Sequence, residues 1–255
     1  MKDIYTKLIQ KIQKFNAVSY GYSRNYIDGG VSRLSPYISR GAISTKTIFN
    51  KILNADYEFN QVQKFLQELS WRDYWQKVWQ QNQNLLIDLK HPQQPVKFRT
   101  IPKAIVEGKT GINAMDDCIK EFYESGYIHN HMRMYIAAVC CNVGQYHWLK
   151  PAQWMYYYLL DGDWGSNALS WQWVAGTTRQ KKYIANQENI NKYFSTIDYN
   201  TFLDKSYEEL YSFKEIPEAL KSTTSLPLKT TLPKQQKLKI DNEKDTYIFN
   251  SYNLD

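Results

Sequence analysis

The chain has 255 residues and a formal net charge of +7, from 32 Lys and Arg against 25 Asp and Glu. That length suits one large domain or two small ones and can bury a real core. The charge favours an anionic partner, nucleic acid first, although a mildly basic surface of no consequence would read the same. Aromatics are plentiful, with 21 Tyr and 8 Trp, which suits a packed helical core and also stacking on flat ligands such as flavins or bases. Cys118, Cys140 and Cys141 sit in apolar helical segments without a CxxC word, so buried thiols in a reducing compartment are expected. The four histidines make no HExxH, and no metal site is expected. No apolar run is long enough to cross a bilayer and the amphipathic start is not a signal peptide, so a soluble, cytoplasmic protein is expected.

Residues 3–15 are predicted to form a short amphipathic helix with Ile4, Leu8, Ile12 and Phe15 in one stripe. From Tyr20 the character changes. YGYSRNYIDGGVSRLSPYISRG carries Gly29, Gly30, Ser32, Ser35, Pro36 and Gly41, which is loop and turn chemistry. Hydroxyls and small residues around Arg33, opening into a helix N-terminus, suit an anion. Residues 57–82 are predicted as a long helix, with Phe59, Val62, Phe65, Leu66 and Leu69 on one stripe. Its second half reads ELSWRDYWQKVW, and the spacing puts Glu68, Trp71, Arg72 and Trp75 on one face. Alone, Glu68 and Arg72 are a solvated helical ion pair with tryptophan cover. Residues 88–110 read as a loop broken by Pro92, Pro95 and Pro102, after which Gly111 opens a helix that Gly126 stops.

The stretch from Tyr127 to Val174 organises the rest. Asn130, Arg133, Met134 and Ala137 share one helix face. An Asn and an Arg on an apolar face are costly to bury unless something polar meets them. The Asp161-Gly162-Asp163 turn offers the partners. A helix from Pro151 is expected to end at Asp161, and another to run from Leu169 to Ala175. In isolation this is a core salt bridge, and Trp148 and Trp171 are core aromatics. Arg179, Lys181 and Lys182 make a candidate phosphate patch or, equally, a solvated charge run. Residues 200–255, punctuated by Lys, Glu and Pro, are expected to be partly ordered.

Read together, N-x-x-R-M, D-G-D and N-x-x-x-W-Q-W, with the earlier G-V-S-R-L-S-P-Y and E-L-S-W-R-D-Y, resemble the flavin-binding helical domain of the photolyase/cryptochrome family. The resemblance runs from about Tyr20 to Tyr183. It implies an all-α fold, with residues 1–195 as the helical FAD-binding domain and 196–255 as a C-terminal extension, separate or part of the same domain. It implies FAD as cofactor, with Tyr22, Ser32, Arg33, Leu34 and Ser35 around its pyrophosphate and Arg72 facing the flavin. By the same resemblance Arg133 pairs with Asp161 beside the flavin, Asp163 meets the ring edge or ribose, and Asn167 faces the ring nitrogen that exchanges a proton. An amide there suits an anionic reduced flavin, and so repair over signalling. Glu68, Trp71, Asn130, Met134 and Trp173 match the family's dimer contacts, and Arg179, Lys181 and Lys182 would meet DNA phosphates. Trp171 and Trp148 match the inner and middle members of an electron relay. Its outer position is Pro95 here, so Trp154 or a nearby tyrosine is the substitute to look for. Val31 replaces the usual Thr, and Ile112 and Asn113 replace an aromatic and a Pro of the G-x-T-G word.

The resemblance implies a minimal DNA photolyase: light-driven electron transfer from reduced FAD to a flipped-out cyclobutane pyrimidine dimer in DNA. Three rivals stand beside it. A cryptochrome-like blue-light photoreceptor would keep the flavin without the repair, a single-stranded DNA-binding protein would need neither, and a structural relic would have lost the flavin. No antenna chromophore is expected on this chain, because the family's N-terminal α/β domain has no counterpart before residue 20. No membrane contact is expected, and the protein is expected to be a monomer.

Overall fold

The computed structural model describes residues 2–82, 84, 86–225 and 243, and its architecture is helical with one two-stranded ladder. The tail expected to be partly ordered beyond residue 225 lies, Glu243 apart, outside the described residues.

Two cores are built. The first begins with α1 (Lys2–Lys14), whose Leu8 and Ile12 are buried. Asn16 then caps α2 (Ala17–Ser23), its side-chain oxygen accepting from the Ser19 N–H at 2.9 Å. A helix therefore occupies the start of the stretch expected to be loop; the turn chemistry takes over only at Arg24. The short α3 (Ser35–Ser39) follows, and Ser44 caps α4 (Thr45–Leu53) by accepting from the Thr47 N–H at 3.0 Å. Glu58 and Gln61 make a capping box for α5 (Phe59–Gln81). Val62, Phe65, Leu66 and Leu69 of α5 close this core on Leu8, Ile12, Leu34, Ile43, Ile48 and Ile52. Phe59, expected in the same stripe, is the first residue of α5 and is 56% exposed.

The second core is larger. It gathers α6 (Lys103–Glu107), α7 (Asn113–Ser125), α8 (Asn130–Ala138), α9 (Leu149–Tyr158), α10 (Trp164–Ala175), α11 (Gln187–Phe194) and α12 (Tyr207–Ser212). The proline-broken stretch 88–110 is not all loop: β1 (Ile101–Pro102) leads into α6 and pairs antiparallel with β2 (Thr223–Thr224), Ile101 opposite Thr224. Leu203, Leu210 and Leu220 are buried in the same core as Trp148 and Met132, so residues 203–220 pack as part of this body. Buried Asp116 accepts from the Thr110 N–H, the Thr110 hydroxyl and the Gly111 N–H, which fixes the start of α7. Between α8 and α9 the helix widens into a π-helical turn, Val139–Val143. Asp163 starts α10 earlier than the expected Leu169, because its carboxylate accepts from the Ser166 N–H at 2.7 Å and caps the helix at Trp164.

The second half of α5 lies against α10, and that contact joins the cores. A Cβ on Gly165 would sit 3.2 Å from both Trp79 Cβ and Gln76 Nε2, so a larger residue there would have to push Trp79 or Gln76 aside by a few tenths of an ångström. Among the described residues, no helix is long and apolar enough to cross a membrane.

Candidate cofactor and substrate site

The seam between the cores carries the polar groups that the sequence singled out. Arg133 lies half-buried on α8, where its Nε donates to the Ile128 carbonyl at 2.8 Å. Its Nη2 donates to both carboxylate oxygens of Asp161, each at 3.0 Å. Asp161 is only 8% exposed. Burial by itself would raise its carboxyl pKa, but Arg133, the Ser35 hydroxyl and Arg72 outweigh burial and hold it below the usual carboxylate range. Ser35 opens α3, so its hydrogen bond ties the 31–35 loop to the acidic turn. Arg40 adds a second tie, donating to the Gly162 carbonyl at 3.3 Å.

Asp163 accepts from Gln76 Nε2 on both oxygens, and Arg72 Nη2 stands 3.7 Å from its Oδ2. The Glu68–Arg72 helical pair is therefore not formed. Arg72 turns across the seam to α10, while Glu68 pairs with Lys64 at 2.9 Å and with Arg24 at 3.9 Å. Two buried polar atoms here, Arg72 Nη2 and Ser166 Oγ, have no hydrogen-bond partner among the described residues. Such atoms are costly to leave unmet and point to a ligand or water between the helices. Asn167, one turn into α10, is half-buried and donates to the Ala152 carbonyl at 2.9 Å.

In the 31–35 loop, Arg33 has φ +54° and lays its guanidinium 3.8 Å from the Tyr127 ring centroid. Its carbonyl accepts from Lys11 Nζ at 3.1 Å. Ser32 Oγ accepts from the Leu34 N–H at 3.4 Å, and the Leu34 side chain is buried in the first core. Tyr22 is 72% exposed and is not brought to these groups. Tyr20 packs in the first core on Phe15 and Phe65, with its ring 6.0 Å from the Arg24 guanidinium; burial, and then Glu68, raise its hydroxyl pKa. Tyr20 and Arg24 are one helical turn apart on α2, a spacing visible in YGYSR once that word is read as helix.

The outer wall is open and aromatic. Trp71 is 44% exposed and stacks on Trp75, with centroids 5.4 Å apart and planes at 27°. Asn130 is exposed at the start of α8, and Met134 is half-buried one turn on. Trp173 is half-buried, with the Arg179 guanidinium 3.8 Å from its ring centroid and Tyr183 5.8 Å away. Arg179 is thus a stacked cation rather than a member of a free patch. Of the three charges expected there, only Lys181 is exposed, and burial lowers the pKa of both Arg179 and Lys182. Behind this wall Trp171 is 2% exposed and Trp148 fully buried, both in the second core. Trp148 Nε1 donates to Asp88 Oδ1 at 2.8 Å, and His147 Nε2 lies 3.2 Å from the same oxygen. Neither Asp88 nor Gln76 carries a signal in the sequence, since each meets its partner only across the fold.

The sequence and the helical fold that carries this site have matches among known proteins. Residues 65–249 match the family model described as the FAD binding domain of DNA photolyase. A deoxyribodipyrimidine photo-lyase of Alkalihalophilus pseudofirmus is 30% identical over 186 residues, covering 66% of this chain and 36% of that protein. Another of Halobacterium salinarum is 30% identical over 156 residues, covering 57% and 32%. The fold is shared with a bacterial class III photolyase of Agrobacterium tumefaciens, at TM-score 0.63 and 23% identity over 74% of this chain and 44% of that one. It is also shared with a Synechocystis cryptochrome, at TM-score 0.65 and 21% identity over 74% and 43%.

The chain belongs to the family of the FAD binding domain of DNA photolyase. It spans about a third of the length of the curated relatives it matches, 36% and 32% for the two above. FAD is the cofactor of this domain, and the donor set fits it. The unpartnered Arg72 Nη2 and Ser166 Oγ can each meet a polar ring edge, while Arg33 and the Ser32 and Ser35 hydroxyls supply donors for phosphates.

Proposed function

We propose that this domain holds FAD in the seam between its two cores and acts as a photolyase on cyclobutane pyrimidine dimers in DNA. The observation that carries the reading is one juxtaposition. The Arg133–Asp161 pair, and an Arg72 whose Nη2 faces Asp163 at 3.7 Å without a hydrogen bond, lie on the inner side of α5, and an exposed Trp71 beside Glu68 lies on the outer side. When bound, reduced FAD supplies an electron under light.

The chain's own residues do the rest. Arg133 and Asp161 fix the spacing of α8 and α10, and with it the width of the site. Ser32, Arg33 and Ser35 hold the phosphates. Arg72, Asp163 and Asn167 orient the ring, with the Asn167 amide beside the ring nitrogen. Trp71 offers a face on which a flipped base stacks, a contact worth about 1–3 kcal/mol. Glu68 accepts hydrogen bonds from the base edge, and Asn130, Met134 and Trp173 close the pocket. Lys181 and Lys182, with Arg24, give phosphate contacts that fall off with salt. Trp171 and Trp148 carry an electron inward when oxidised FAD is photoreduced.

The test is an absorption spectrum of the purified protein, then blue light with a thiol and an oligonucleotide holding one thymine dimer. A yellow protein that bleaches and restores the thymines is expected. One that bleaches and leaves the dimer intact belongs to a photoreceptor, and one that takes up no FAD ends the reading.

A further inference from the structure

Resting on the reading that this domain binds and photoreduces FAD, we infer that the electron path leaves the core through Trp148, Trp164 and Tyr156, with Tyr156 as the terminal donor at the surface. The outer position of the relay that the family resemblance implies is Pro95, whose side chain does not serve as a relay. The three rings make a file of contacts instead. Trp148 is fully buried. The Trp164 ring lies 6.5 Å from it, with planes at 32°. The Tyr156 ring lies 5.4 Å from Trp164, at 71°, and Tyr156 is 40% exposed. The acidic turn assembles the file: Trp148 caps α9, Tyr156 lies near the end of α9, and Trp164 is the first residue of α10.

Electron transfer falls steeply with separation, so rings in contact are the ones that relay. Trp154 is close in sequence but leads elsewhere. It is fully buried, its Nε1 donates to the Tyr123 hydroxyl at 2.9 Å, and its ring packs on Phe122 at 5.7 Å.

Asp88 eases removal of an electron from Trp148, and proton loss at Tyr156 draws the oxidised site outward. The Asp88 carboxylate at 2.8 Å from the Trp148 indole N–H stabilises positive charge on that ring. The exposed Tyr156 phenol can release its proton to water, which traps the oxidised site at the surface. The balance is one electron passing from Tyr156 to Trp164 to Trp148 and, through Trp171, on to photo-excited FAD, with one proton leaving the Tyr156 hydroxyl for water. A thiol in solution then returns one electron and one proton to Tyr156.

The experiment compares W148F, W164F, W164Y and Y156F with the parent protein at equal FAD occupancy. FAD photoreduction is followed under blue light with dithiothreitol, and the radical formed without thiol is trapped by freezing and identified by electron paramagnetic resonance. W164F should slow photoreduction at least about tenfold, the equivalent of ~1.4 kcal/mol of barrier. W164Y, which keeps an oxidisable ring, should recover most of the rate. The parent should show a tyrosyl spectrum that Y156F lacks. If W148F blocks photoreduction while W164F and Y156F match the parent, the exit lies elsewhere and the inference falls with the FAD reading intact. If the parent itself takes up no FAD, both fall.

Discussion

The two sides of α5 are built to opposite rules. On the inner side, half-buried Arg133 is hydrogen-bonded to buried Asp161, and the turn between α9 and α10 is tied down by Ser35, Arg40, Arg72 and Gln76. On the outer side, Glu68 is paired only with Lys64 and Arg24 near the surface, and Trp71 leaves 44% of its area in water. A buried charge pair contributes little net stability when made, yet breaking it is severe, because the surviving charge stays in a low-dielectric site. An exposed pair or ring is cheap to remove and is free to meet something else. The inner wall therefore holds a shape, and the outer wall keeps surface in reserve for a partner.

The comparison breaks most visibly at Arg133. Arg133→Ala should destabilise the fold by about 3 kcal/mol, since buried Asp161 loses its paired charge and keeps Ser35 and Arg72, and should lower FAD content. Denaturant titration reads the first effect and flavin absorbance the second. A variant as stable as the parent would remove the pair from the framework.

Acid should separate the walls next. Burial, with His131, Arg33 and Arg133 nearby, holds His129 down to about 4. The unfolded chain takes up that proton first, so stability is lost as pH falls from about 6.5 toward 4. His129→Gln should remove a loss on the order of 2 kcal/mol, the part of the shift left after solvent screening. His129 starts α8, the helix that carries Arg133. Asp161 works at lower pH. Its folded pKa is depressed, so its contribution is intact above the ordinary carboxylate value and disappears as pH falls through the folded one. Arg133→Ala should flatten that last limb of an acid-stability curve, and an unchanged limb would count against the pairing.

The outer wall should respond in binding rather than stability. Trp71→Ala should weaken binding of dimer-containing DNA by about 1–3 kcal/mol with FAD content unchanged, as read by fluorescence anisotropy and absorbance. Equal affinity would take Trp71 out of the substrate site. Smallest of all, Glu68→Gln should shift the melting free energy by no more than about 1 kcal/mol, as for exposed pairs in general, while impairing dimer repair. A large loss of stability would mean that Glu68 belongs to the framework after all.

Much of this was legible beforehand. Asn130, Arg133 and Met134 share a face because a helix has 3.6 residues per turn, and an arginine on an apolar helix face with an Asp-Gly-Asp turn to follow points to a pair whichever way the helices cross. The stripe from Val62 to Leu69 marked the buried face of α5 for the same reason. Tyr20 and Arg24 were hidden by the glycines and serines that follow them, which made a capped helix read as loop.

The sequence by itself determined what depends on neighbours along the chain: the helices, their buried faces, the acidic turn and the family's words. Only the tertiary structure decided which groups meet across the seam. Arg72 abandons Glu68, four residues away, for Asp163 on another helix, and Trp148 finds Asp88 and Trp164 from distant segments. Helical periodicity fixes directions within one element, whereas ion pairs and ring contacts between elements depend on how closely two helices approach. Here Gly165 packs closely against Trp79 and Gln76 where α5 and α10 meet.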